Sequence, residues 1–100
     1  MKEELITFET AKLAKEKGFE FQYAWIPEID NLPTQSLLQK WLREQHNLEV
    51  ISMHADDFVW WKVKVRRLSK VGAEIIKTEM EFNTYEEALE KGLHQALKLI

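Results

Sequence analysis

One hundred residues, 45% hydrophobic and 11% aromatic, make a single domain with enough apolar material for one core, which excludes a disordered chain. The lack of cysteine excludes a disulfide scaffold, thiolate zinc sites and thiol catalysis, and it fits a reducing cytosol. A net charge of −3 argues against a general nucleic-acid binder, although residues 58–71 carry Lys62, Lys64, Arg66, Arg67 and Lys70 with no acid.

The chain opens without the apolar run of a signal peptide, and no stretch approaches the ~20 apolar residues of a membrane span. A cytoplasmic location without membrane contact is expected. Thr7 reads as the N-cap of a first helix, Glu9 suits its positive start, and Gly18 stops it. Phe8, Ala11 and Ala14 or Lys15 trace a narrow apolar side, suited to the edge of a core. From 19 to 32, Phe19, Phe21, Tyr23 and Trp25 alternate with Glu20, Gln22, Ala24 and Ile26. That period fits a strand, but an aromatic loop pinned onto the core fits it too. Pro27, Asp30, Asn31 and Pro33 supply turn chemistry at its end.

Leu37, Leu38, Trp41 and Leu42 form the apolar stripe of a second helix that begins at Pro33 or Thr34. Lys40, Arg43 and His46 fall where positive charge complements the helix end, and Asn47 suits a left-handed stop. A β-meander follows. Leu48 to His54 is its first strand, and Ala55-Asp56-Asp57 turns the chain into the Trp60-Trp61 segment. There Val59, Trp61, Val63 and Val65 alternate with Trp60, Lys62, Lys64 and Arg66, giving one apolar face and one basic face. Trp61 is therefore expected in the core, and Trp60 at least partly exposed beside Phe58. Ser69 to Ala73 turns the chain again into a strand over Glu74 to Phe82. Lys62 and Lys64 are expected across from Glu79 and Glu81. Thr84 and Glu87 make the T-x-x-E spacing of a capping box. Tyr85, Leu89, Leu93, Ala96 and Ile100 then follow helical spacing, with Gly92 marking a close approach to a neighbour. Together these predict an α+β domain over residues 1–100: an antiparallel meander of three or four strands, covered on one face by about three helices.

Catalytic and ligand-binding motifs are lacking. His46, His54 and His94 lie far apart in sequence, and His54 with Asp56 and Asp57 is explained by a polar turn. Glu86, Glu87 and Glu90 complement the start of the last helix. There is no G-x-S-x-G, H-E-x-x-H or phosphate-cradling glycine loop. No enzyme, cofactor or metal site is expected. The surface to watch is Phe58, Trp60, Lys62, Lys64 and Arg66. Exposed aromatics with a charged rim have the anatomy of a protein-interaction surface, for a partner or a second copy. Weak nucleic-acid binding along the same basic strand is the alternative.

Three segments, LITFETAKLAKEKG at 5–18, PTQSLLQKWLRE at 33–44 and TYEEALEKGL at 84–93, resemble a family of small phage and mobile-element proteins of Bacteroides-type gut bacteria. The match covers under half of the chain. The resemblance implies a bacterial or prophage cytosolic protein and supplies no catalytic residues.

Overall fold

The computed structural model describes residues 5–19, 32–55 and 60–100. Its elements run α1 (Phe8–Glu16), α2 (Gln35–His46), β1 (Leu48–His54), β2 (Trp61–Ser69), β3 (Gly72–Phe82) and α3 (Tyr85–Leu97). The fold is α+β: an open three-stranded antiparallel sheet in the order β1-β2-β3, with helices packed against it. The strand-or-loop alternative for residues 19–32 falls on positions 20–31, outside the described residues. So do the Asp56-Asp57 turn and Phe58.

The helix boundaries are set by local chemistry. Thr7, Thr34 and Thr84 are the three N-caps, each with its hydroxyl accepting from the backbone N–H three residues on. At α3 the reciprocal half of the capping box is displaced by one residue, because Glu87 accepts from the N–H of Asn83 at 3.4 Å. Asn47 closes α2 in the left-handed region at φ 55°, and Gly18 follows α1 at φ 97°.

α3 lies across the sheet and carries the densest apolar face. Ala88, Leu89, Gly92, Leu93, Ala96 and Leu97 are buried against β1 and β2. A Cβ on Gly92 would stand 2.7 Å from Val50 Cγ1 and closer still to Val63 Cγ2, so only glycine lets the helix lie this near the strands. Leu89 is buried as its spacing implies, whereas Tyr85 and Ile100, at the two ends of the same stripe, are exposed. α2 sits beside α3 and over β1, sending Leu38 and Leu42 into the core and leaving Leu37 on the surface. Each such leucine, fully buried, contributes about 2 kcal/mol of hydrophobic stabilisation. α1 packs on α3, as expected for a narrow stripe. Its buried side is Thr10, Ala11 and Ala14, while Phe8 is exposed. The segments entering α1 and α2 are joined by a bridge between Leu5 and Thr34 and by the Ile6 N–H donating to the Pro33 carbonyl at 2.9 Å.

In β2 the predicted alternation holds. Val63 and Val65 are buried beneath α3, and Trp61 packs half-buried at the margin of the core. Its ring stands edge-on to Tyr85 at 5.6 Å and to His54 at 5.1 Å. β3 departs from the expected register. Val63 lies opposite Glu79 and Trp61 opposite Phe82, which leaves Met80 and Glu81 together against Lys62. This irregularity, with Glu81 at φ 72°, is a β-bulge. A second shift lies between Val65 and Arg66. The expected pairing of Lys62 and Lys64 with Glu79 and Glu81 is therefore not made. Lys64 faces Thr78, and Glu79 turns to the helix side, where it pairs with Lys77 at 3.7 Å.

Candidate functional site

Strand alternation divides the sheet into a helix-covered face and an opposite one. Lys62, Lys64 and Arg66 project from the central strand on the opposite face, in register with Met53, Ile51 and Glu49 of β1. On the other flank, Thr78 lies beside Lys64 and Ile75 beside Arg66. Each of the three cations is half-buried. Trp60, one residue before β2, is half-buried as well. The structure thus brings Lys62, Lys64 and Arg66 to one face of β2, with Trp60 just before its start. Phe58 lies outside the described residues.

The three cations are not equivalent. Arg66 donates from Nη2 to Glu49 Oε1 across the β1–β2 pair, so its charge is answered within the sheet. Among the described residues no ion pair engages Lys62 or Lys64. Lys62 stands between Met53 and the Met80–Glu81 bulge, and Lys64 between Ile51 and Thr78, Met80 being 47% exposed. The result is two unneutralised ammonium groups set in apolar surface. This flank was not apparent from β2 alone; it needed the register with β1 and β3.

A second concave feature lies where the starts of α1 and α2 meet α3. It is an open groove of about 750 Å³, bordered by Thr7, Thr10, Gln35, Glu86, Glu90 and His94 among others. Its polar groups are mostly spent on holding the helices together. Glu90 accepts through one oxygen from the N–H and hydroxyl of Thr7, at 3.1 and 2.9 Å, and through the other from Gln35 Nε2 at 3.3 Å. Gln35 Nε2 also donates to the Glu86 carbonyl at 2.9 Å. Thr10 Oγ1 and His94 Nδ1 share a hydrogen bond of 3.3 Å. Burial holds the His94 imidazole below its ordinary pKa of 6.5, and the Lys98 and Lys91 charges add to this against the opposing pull of Glu9 and Glu90. This constellation joins α1 and α2 to α3.

Among the described residues no group of three or more His, Asp or Glu side chains is placed to hold a metal ion. No helix among them is long and apolar enough to cross a membrane. Compared with protein-family models, curated proteins and solved structures, the chain matches none of them.

Proposed function

We propose that this chain is a non-enzymatic interaction module that docks a protein partner on the sheet face opposite its helices. The observation that carries the reading is the placement of Lys62 and Lys64, without ion-pair partners among the described residues, between Ile51, Met53 and Met80. Unneutralised cations framed by apolar side chains fit a partner surface that offers carboxylates together with apolar contacts. Trp60 at the end of the stripe adds an amphipathic aromatic of the kind interfaces favour. Three segments resembling small phage and mobile-element proteins, together with a cysteine-free composition, support a bacterial cytosolic setting of that origin.

One observation favours a second reading, weak nucleic-acid binding. Of the acids expected to oppose the basic strand, Glu79 lies on the helix side while Lys64 faces Thr78, and Glu81 stands in the bulge against Lys62 without an ion pair among the described residues. The neutralised Arg66 and the net charge of −3 weigh on the other side.

The test is affinity capture from a lysate of cells carrying the gene, beside binding of labelled oligonucleotides over a salt series. Wild type is compared with Lys62→Glu/Lys64→Glu. A captured protein lost in the variant, with no oligonucleotide bound at physiological salt, supports the first reading. Oligonucleotide binding that falls steeply with salt and vanishes in the variant supports the second. Capture and binding unchanged by the double substitution would refute both.

A further inference from the structure

The two edges of the sheet differ. At β1 the Val50 carbonyl is taken by α2, Gln39 Nε2 donating to it at 2.6 Å. Blunting of this kind is how sheet proteins keep an edge strand from pairing further. β3 is the other edge, and among the described residues no strand pairs with its outer side. It is eleven residues long and exposed along most of its length, with Ile75 at 53%, Ile76 at 37% and Met80 at 47%.

The sequence of this edge is self-complementary. If a second copy lies antiparallel to it with Thr78 facing Thr78, Lys77 falls opposite the other copy's Glu79, and Glu79 opposite its Lys77. Ile76 and Met80 meet each other in the same way, also twice. Lys77 and Glu79 flank Thr78 on the regular part of the ladder, so the charges meet on the helix side. The side chains are placed for this: Lys77 and Glu79 already share the helix side within one chain, and Thr78 faces away with Lys64. The regular ladder covers Lys77, Thr78 and Glu79, and the two register shifts, at Ile76 and at Met80 with Glu81, bound the pairing. A shift of one residue would set Lys77 against Thr78 or Met80, according to its direction, and lose both charge pairs.

We infer that two copies of this chain associate through β3, antiparallel and centred on Thr78, to make a continuous six-stranded sheet. A two-fold axis perpendicular to the sheet puts both sets of helices on one side and both basic stripes on the other. The contact uses the edge of the sheet and stands independently of the docking face proposed above.

Sedimentation velocity on the whole chain tests the inference. A short edge contact is small, so dimers should appear between about 10 µM and about 1 mM. Lys77→Glu alone and Glu79→Lys alone each place like charges opposite one another twice and should weaken the dimer roughly tenfold. The double variant restores opposite charges and should recover it. Mixing the two single variants should give a heterodimer stronger than either variant with itself. Circular dichroism confirms that each variant is folded. The register is read separately by cysteine cross-linking, since the natural chain has no cysteine. Thr78→Cys places two thiols directly across, with Cα atoms about 4.5–5.5 Å apart, and should form a disulfide-linked dimer under mild oxidation. Ile75→Cys sets its thiols about 20 Å apart and should not. A wild type that stays monomeric to about 1 mM, the upper end of that range, overturns the inference. So does a dimer indifferent to charge reversal, or cross-linking as fast at 75 as at 78.

Discussion

Asn47 occupies the left-handed region that most side chains avoid, at φ 55°. Asparagine tolerates it better than other non-glycine residues because its short amide bonds locally. Asn47→Ala should lower stability by about 1 kcal/mol, whereas Asn47→Gly should stay within a few tenths of wild type, as read from urea midpoints. This stop was legible in the sequence, as were the threonine caps, because each is decided within four residues of chain. The buried side of α1 was not. Helical spacing put Phe8 inward, yet Thr10 is buried and Phe8 exposed. Thr10 turns inward because α3 offers it His94, a partner no local pattern shows. His94 also carries a pH dependence. Its folded-state pKa lies below the unfolded value near 6.5, so the unfolded chain takes up the proton more readily. Stability from the neutral ring is present above that value and is lost as pH falls through it toward the folded pKa. His94→Gln should therefore shrink the loss of stability measured between about pH 7.5 and about pH 5.5. An unchanged loss would mean that His94 does not contribute to it.

At the scale of elements, the meeting of α3 with β1 and β2 decides the packing. Alanine at Gly92 would favour the helix by about 1 kcal/mol by propensity alone. Its methyl would press on Val50 and Val63, β-branched side chains on strands with little room to turn. Overpacking costs typically about 1–3 kcal/mol, so Gly92→Ala should lower stability by up to about 2 kcal/mol net. A rise in the urea midpoint would show that the helix can lift off the sheet without loss. The close approach was readable from a glycine inside an otherwise regular helical pattern. The register of β3 was not readable. Alternation assigns faces only while the ladder is regular, and the bulge at Met80 and Glu81 moves Glu79 to the helix side. That irregularity takes Glu79 away from the basic face and sets Met80 and Glu81 together against Lys62, which shapes the candidate surface.

At the scale of the molecule, three helices gather on one side of the sheet and a basic, partly apolar stripe faces the other way. The basic half of that stripe was visible in the alternation of β2. Its apolar surround came from Ile51 and Met53, which β1 brings alongside only after folding. The same arrangement separates two surfaces: a face fit for a different protein and an edge fit for a second copy. The account depends most on the face being accessible in the isolated chain and taken up by a partner. Lysine acetylation followed by mass spectrometry measures this directly, with the exposed Lys70 as the internal reference. In the purified protein Lys62 and Lys64 should react, and addition of host lysate should slow both while Lys70 stays unchanged. Lys62 and Lys64 already protected in the dilute purified protein, or equally reactive with and without lysate, would contradict it.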